Sequence, residues 1–215
     1  MKLPSVTTIL DLAYQKEWMR GYIAKQMAEE AVRGVSFTKD EFLEALEGHR
    51  REASDHGDDI HARLNTLGLG GESKFGPIEE WNRIYQPDII YTEAQVYNLT
   101  IGYAGSLDII AYINGKLYLI DLKTGMHLDS SIKLQLSAYK NAEYISDELR
   151  SPEVMPEIDA CGILWIPRNT PEDWSFREVN VGNREFKAFL SCVDIANYHI
   201  ANSSRNVLGK IVEHG

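Results

Sequence analysis

The sequence predicts a mixed α/β fold, in which helices cover both faces of a central mixed sheet. Strand-like segments are concentrated after residue 86: IIYTEAQVYN, GSLDIIAYI, KLYLIDLK, ACGILWIP and SFREVNV. Helical patterns dominate residues 1–86, separate the third strand from the fourth, and return near the end of the chain. Helices, an antiparallel meander, a crossover helix and further strands are typical of such a sheet.

The first 86 residues predict helices. Ser5 or Thr7 can cap a first helix that continues to near Gly34, and the sequence from Thr38 to Glu41 fits a capping box for a second. A third helical stretch is IHARLNTLGL, and the segment PIEEWNRIYQ begins with a proline suited to a first helical turn. We expect one domain over 1–215, with a helical N-terminal portion (1–86) and a sheet-containing catalytic core (87–215).

The core region adds two helices to the strands. One is expected over roughly 130–145 and the other over about 184–201. Between the second and third strands, Asn114–Gly115 is a strong signal for a type I′ hairpin turn.

Composition excludes several classes of protein. The chain has 215 residues, 44% of them hydrophobic and 25% charged, as is usual for a globular domain. It has no apolar run of about eighteen residues and no signal-peptide pattern, so we expect no membrane partner and a cytoplasmic location. Cys161 and Cys192 are not at metal-ligand spacing, which predicts two buried thiols rather than a zinc or iron–sulfur site. A net charge of −10 argues against DNA binding by overall attraction, although it leaves a nuclease possible.

The third strand ends in two charged residues, Asp121 and Lys123, after an otherwise apolar run. A turn at Asn114–Gly115 pairs the residues on either side of it in order, so Asp108 and Asp121, which are equally far from the turn, should face each other. Their Cβ atoms would be roughly 4.5–5.5 Å apart. Lys123 should share that face, because it lies two residues beyond Asp121.

Opposed carboxylates destabilise a sheet unless a cation neutralises them. Mg²⁺ and Mn²⁺ take oxygen ligands in such an arrangement and retain several waters. Lys123 could then orient or help to deprotonate an attacking water, or stabilise the charge on a phosphate. The alternative is a strand-end ion pair between Asp121 and Lys123, with Asp108 capping the turn after Gly105.

These residues resemble the PD-(D/E)XK nuclease superfamily, in which an Asp on one strand and a D/E-x-K on the next bind metal and cleave phosphodiesters. GDDIHARL (57–64) resembles the G-x-x-x-H helix of the RecB-like exonuclease branch, and LQLSAY resembles its Q-x-x-x-Y helix. LPSVTTIL is similar to a segment of phage nucleases and of the mitochondrial genome maintenance exonuclease. The resemblance covers residues 4–139 and implies a restriction-endonuclease-like core.

The resemblance also implies roles for individual residues. The catalytic residues would be Asp108, Asp121 and Lys123. The metal ligands would be His61, Asp108, Asp121, the Leu122 backbone carbonyl and Glu93. The residues that position DNA would be Gln135, Tyr139, Ser5 and Thr7. Six of these positions also have a simpler interpretation: a core or surface histidine for His61, a solvated glutamate for Glu93, helix packing for Gln135 and Tyr139, and helix capping for Ser5 and Thr7.

The function that follows is a Mg²⁺- or Mn²⁺-dependent DNA exonuclease acting on single-stranded or frayed ends, in a phage or bacterial setting of DNA recombination and repair. The cysteines that frame an iron–sulfur cluster in some members are absent, and so is a G-x-x-x-x-G-K-[ST] loop. We therefore expect no nucleotide cofactor, and a separate helicase or recombination protein as a partner. Two alternatives remain open: a non-catalytic nucleic-acid-binding module of the same fold, and a structure-specific endonuclease.

Overall fold

The computed structural model describes residues 3–14, 25, 28, 29, 32, 60, 62, 76–147 and 151–202. The isolated positions in this set, between 25 and 62, are all helical. The helices with described bounds are α1 (Val6–Ala13), α2 (Pro77–Tyr85), α3 (Ser131–Lys140) and α4 (Asn183–Asn202). The strands are β1 (Asp88–Asn98), β2 (Tyr103–Ile113), β3 (Lys116–Lys123), β4 (Tyr144–Ser146), β5 (Glu153–Val154), β6 (Ala160–Trp165) and β7 (Ser175–Val179). A single 3₁₀ turn, Pro171–Asp173, precedes β7.

The strands form one seven-stranded sheet in the order β5-β4-β1-β2-β3-β6-β7. Neighbouring strands are antiparallel except for β3 and β6, which are parallel. Because α3 lies in the crossover between β3 and β6, it can return the chain to the same end of the sheet. The mixed sheet flanked by helices confirms the fold class predicted from the sequence.

Each face of the sheet carries its own hydrophobic core. The first core contains buried residues of α1, α3 and α4, including Ile9, Leu136 and Phe189. The second core contains Ile78 and Trp81 of α2 on the opposite face. The described parts of the first 86 residues are thus divided between the two faces. Both cysteines are buried in the first core, as expected.

The hairpin between β2 and β3 has the turn that the sequence predicts. Asn114 and Gly115 both have positive φ, 50° and 80°, as a type I′ turn requires. The paired residues run from Ile113 opposite Lys116 to Ile109 opposite Ile120. This register determines where the charged end of the hairpin lies.

The first helix is shorter than the sequence predicts. Ser5 caps it by accepting a 3.0 Å hydrogen bond from the Thr8 N–H, but the helix ends at Ala13 rather than near Gly34. Tyr14 is extended, with φ −108° and ψ 110°, and its hydroxyl hydrogen-bonds to the Ser130 hydroxyl before α3. The helix thus ends at the point where Tyr14 adopts an extended conformation and contacts the segment before α3. The second predicted helix, from Thr38, lies outside the described residues.

The helix predicted over 130–145 is also too long. α3 ends at Lys140, and Tyr144–Ser146 instead forms β4, which pairs with β1. The carbonyl of Asn141 accepts hydrogen bonds from the Asn98 side chain and the Tyr103 hydroxyl, which bind the chain to the sheet at this point. Pairing with a sheet edge therefore overrides helix propensity here.

None of the described helices combines the length and apolar character that crossing a bilayer requires.

Candidate active site

β2 and β3 stop pairing where the two aspartates begin. The last paired residues are Ile109 and Ile120, and Asp108 and Asp121 follow them directly on the two strands. Both side chains are buried: Asp108 is 9% exposed and Asp121 2% exposed. The structure therefore brings the two carboxylates to one end of the hairpin, just past its regular ladder.

Asp108 occupies the space where the ladder would continue. Its Oδ2 accepts a 2.6 Å hydrogen bond from the main-chain N–H of Leu122. The N–H and C=O of one residue in an extended strand point to the same edge, so the Leu122 carbonyl is directed towards β2. The Lys123 carbonyl points the other way and accepts a 2.8 Å hydrogen bond from the Ile166 N–H. The Leu122 carbonyl thus lies on the same side of β3 as Asp108.

Asp121 and Lys123 form the strongest ionic contact at this end of the sheet. Lys123 Nζ lies 2.7 Å from Asp121 Oδ2, and the two side chains are 28% and 3% exposed respectively. Oδ2 is therefore paired with the ammonium group, whereas Oδ1 is buried and has no hydrogen-bond partner among the residues that the structure describes. A buried carboxylate is costly unless it is paired and hydrogen-bonded. Oδ1 in particular is available for a further positively charged partner.

The carboxylates keep Lys123 charged. Burial alone would lower the pKa of its ammonium group, but the negative charges of Asp121 and Asp108, the close contact with Asp121 and the charge of Asp129 outweigh it and raise the pKa above the usual 10.5. Sequence reasoning missed Asp129. Its position before α3, where Oδ1 accepts a 2.7 Å hydrogen bond from the Ser131 N–H, is a helix-start signal that could have identified it.

Glu93 continues the row formed by Asp121 on β3 and Asp108 on β2, and lies on the next strand, β1. The pairs Thr92–Ile109 and Ala94–Leu107 flank it, so Glu93 on β1 lies opposite Asp108 on β2. Its φ is +48°, a left-handed conformation that costs a non-glycine residue roughly 1–2 kcal/mol. Such outliers persist only where the surrounding structure enforces them, and they cluster at functional sites.

The strands are irregular on both sides of this row. Tyr91 and Ala94 both belong to the first core, and so do Leu107 and Ile110. Residues three apart on a regular strand point to opposite faces. The alternation therefore shifts at Glu93 on β1 and near Asp108 on β2, and the sheet is deformed where the three carboxylates meet.

Gln135 and Tyr139 lie on one side of α3, as their spacing predicts. Gln135 Nε2 donates a 3.1 Å hydrogen bond to the Tyr139 hydroxyl. Burial raises the pKa of Tyr139 the most; the bond from Gln135 lowers it, and the charges of Asp121, Asp108 and Glu93 raise it further. The phenol is therefore near enough for the charges of all three carboxylates to act on it. It is only 2% exposed, so Tyr139 is also part of the first core.

Ser5 lies beside the edge of β2 that β3 no longer covers, and Thr7 follows it in the first turn of α1. The Ala104 N–H donates a 3.1 Å hydrogen bond to the Pro4 carbonyl, and Ser5 forms a parallel bridge with Ala104. β1 occupies the other edge of β2 here, so this segment takes the edge that β3 leaves. Ser5 is then four residues along β2 from Asp108, a distance of about 13 Å. Its Oγ also contacts the Thr7 hydroxyl at 3.0 Å, while Thr7 itself is exposed.

The donor set suits a hard divalent cation. Among the described residues, no three His, Cys, Asp or Glu side chains form a group able to hold a metal, and His61 lies outside those residues. Mg²⁺, however, is usually bound through one or two carboxylates, with waters and substrate phosphates completing its shell. Asp121, whose Oδ1 has no hydrogen-bond partner among the described residues, and the adjacent Asp108 meet that lower requirement.

Comparison with known proteins gives a likeness of fold only. No family model and no curated protein matches this sequence. The crystal structure of SSO0001 is similar at 18% identity and a TM-score of 0.39, over 90% of each chain. The crystal structure of LHK-Exo in complex with dAMP is similar at 10% identity and a TM-score of 0.41, over 94% of this chain and 89% of that one. At scores this low, the likeness assigns neither a family nor an activity to the chain.

Proposed function

We propose that this chain is a Mg²⁺- or Mn²⁺-dependent deoxyribonuclease of the PD-(D/E)XK superfamily, RecB-like exonuclease branch, acting on single-stranded or frayed DNA ends. The observation that carries the proposal is the buried Asp121 carboxylate, whose Oδ2 is paired with Lys123 while its Oδ1 has no hydrogen-bond partner among the described residues. A simple strand-end ion pair gains little from burial of this kind, because removing charges from water costs several kcal/mol per ion.

The chain's own groups divide into ligands and positioning groups. Asp108, Asp121, the Leu122 carbonyl and His61 would hold the cation, with Glu93 as a further carboxylate in the same row. The cation would supply Lewis-acid stabilisation of the phosphodiester and a more acidic water. Lys123 would hold a positive charge beside the phosphate and donate a hydrogen bond to it or to the attacking water.

Gln135 and Tyr139 would act from α3. Their hydrogen bond fixes the amide of the half-buried Gln135, which can contact the DNA backbone, while the buried Tyr139 would orient it. Ser5 and Thr7, about 13 Å away along β2, would contact a second phosphate at the N-terminus of α1. Helix N-termini favour such anions.

The surplus of carboxylates predicts that DNA binding depends on the cation. The chain carries a net charge of −10, and the site itself contains three acidic side chains against one lysine. Without a cation, a phosphate would be repelled there. A separate helicase or recombination protein would supply single strands.

A digestion assay tests the proposal. Single strands labelled at the 5′ or the 3′ end and a closed single-stranded circle are incubated with Mg²⁺, Mn²⁺ or EDTA. We expect short products from the linear strands with either metal, no products in EDTA and an intact circle. Asp121→Asn should abolish cleavage, whereas Asp194→Asn, an exposed carboxylate change on α4, should not.

The rival functions give different results. Cleavage of the circle would indicate a structure-specific endonuclease. DNA binding by a folded protein that cleaves no substrate with either metal would indicate a non-catalytic binding module. Cleavage by Asp121→Asn at the wild-type rate would remove this site from the reaction.

A further inference from the structure

A cleft of about 520 Å³ lies between the first turn of α3 and the ends of β6 and β7. Most of its lining surface is apolar, and it is lined by two basic residues, Lys133 and Arg177, and two acidic ones, Asp129 and Glu178. The residues that matter here are Leu128, Lys133, Ile163, Trp165, Ser175 and Arg177. None of them belongs to the candidate catalytic or metal-binding set.

The sheet register connects this cleft to the carboxylates. Asp121 on β3 is paired with Ile163 on β6, which is paired in turn with Arg177 on β7. With neighbouring strands about 4.8 Å apart, the Arg177 backbone is roughly 9.6 Å from that of Asp121. In the next row, Lys123 is paired with Trp165. The cleft therefore begins one strand away from the candidate active site.

The charged side chains that line the cleft favour an anion. Lys133 and Arg177 are exposed. Glu178 lies on the other face of β7, where it accepts a hydrogen bond from the Tyr118 hydroxyl and its Oε1 is 3.8 Å from Lys116 Nζ. Asp129 is engaged at the start of α3 with the Ser131 N–H. Two exposed cations, Lys133 and Arg177, therefore line the cleft beside one remaining carboxylate, Asp129, in a chain whose net charge is −10.

The cleft also offers a rigid aromatic ring and an unused polar atom. The Trp165 indole N–H donates a 2.8 Å hydrogen bond to the Gly125 carbonyl, which fixes the ring against the loop after Lys123. The Ser175 hydroxyl is buried and has no hydrogen-bond partner in the described part of the chain. A buried hydroxyl without a partner is destabilising, so a ligand with a polar edge would relieve it.

We propose that this cleft binds the nucleotide next to the scissile phosphate of a single-stranded DNA. The base packs against the Trp165 indole and offers its polar edge to Ser175, while Arg177 and Lys133 contact the adjoining phosphate. Aromatic platforms beside basic side chains are the usual means of holding a single strand. The inference rests on the proposed nuclease function for the position of the scissile phosphate.

Two substrates separate the cleft from the active site. A short oligothymidylate would fill both, whereas bis(p-nitrophenyl) phosphate, a small diester, would fill only the active site. We expect Arg177→Gln to raise KM for the oligonucleotide on the order of tenfold, equivalent to about 1.4 kcal/mol, with kcat nearly unchanged. Hydrolysis of the small diester should be unaffected. Arg83→Gln on α2, on the opposite face of the sheet, is the matched control and should change neither substrate.

The inference is overturned if Arg177→Gln leaves the oligonucleotide KM unchanged, or if it slows both substrates equally. If the wild type hydrolyses neither substrate, the proposed function fails, and binding of a fluorescent oligothymidylate with Ca²⁺ still tests the cleft. Weaker binding by Arg177→Gln and by Lys133→Gln, but not by Arg83→Gln, would then support it. Equal binding by all four proteins, or no binding by any, would overturn it.

Discussion

Leu122 and Asp108 are joined across β2 and β3 by a 2.6 Å hydrogen bond from the Leu122 N–H to Oδ2 of Asp108. This bond takes the place of the next backbone pair of the hairpin, which ends at Ile109 and Ile120. The Asp108 side chain therefore replaces a backbone acceptor, and the hydrogen bond holds its carboxylate next to Asp121.

This relationship predicts different outcomes for two replacements of Asp108. Asp108→Asn retains an oxygen that can accept from the Leu122 N–H, whereas Asp108→Ala leaves that N–H without its acceptor. An unsatisfied buried donor costs about 1–3 kcal/mol. Urea denaturation in EDTA should show a loss of this size for the alanine variant and a clearly smaller one for the asparagine variant. Equal losses would mean that the hydrogen bond contributes little.

The ion pair between Lys123 and Asp121 predicts a large stability effect. Lys123→Met would leave the buried Asp121 carboxylate without its cation, a loss on the order of 3 kcal/mol. Lys116→Met is the matched control, because Lys116 is on the same strand and pairs with Glu178 at 3.8 Å with both side chains more than half exposed. Such a surface pair contributes about 0–1 kcal/mol.

The pH dependence of that effect has a definite sign. Because the folded-state pKa of Lys123 is raised above 10.5, its contribution is complete at neutral pH and is lost only as the pH rises through that higher value. Denaturation of wild type and Lys123→Met at neutral pH and at strongly alkaline pH measures this change. A difference no larger than that of Lys116→Met at neutral pH would contradict the buried pair.

The close approach of the Tyr139 ring to Gly105 predicts that a larger residue at position 105 lowers the stability of the fold. A Cβ added at Gly105 would lie 2.6 Å from Tyr139 Cε1, so the ring would have to move. We expect Gly105→Ala to lower the free energy of unfolding by about 1–3 kcal/mol. Gly125→Ala is the control, because its nearest neighbour is the His127 carbonyl at 3.6 Å. In a double-mutant cycle, Tyr139→Leu should remove much of the Gly105→Ala penalty; independent effects would show that the ring is not the obstacle.

The sequence was sufficient for the centre of the sheet. Apolar strand patterns located β1, β2 and β3, and the Asn114–Gly115 turn predicted the register from Ile113 and Lys116 onward. That register follows from local turn geometry, since a two-residue turn leaves one pairing. It stops at Ile109 and Ile120, because the next acceptor is the side chain of Asp108.

Features that depend on tertiary contacts were not predictable. Tyr144–Ser146 follows a helix and looks helical, yet it joins the sheet because β1 offers an unpaired edge. The positive φ of Glu93 has no signal in the sequence, since glutamate rarely adopts it. Asp121, Ile163 and Arg177 lie in one row of the sheet, and predicting this would require knowing how β3, β6 and β7 pair.

The most direct test of the candidate site is the effect of Mn²⁺ on the melting temperature of the wild type and of Asp108→Asn. A cation that binds only the folded protein raises apparent stability, by about 2.7 kcal/mol at one hundred times its Kd. We predict a rise in melting temperature with Mn²⁺ concentration for the wild type, reversed by EDTA, and little or no rise for Asp108→Asn. If Mn²⁺ leaves the wild type unchanged, or raises both proteins equally, Asp108 and Asp121 are not the metal site.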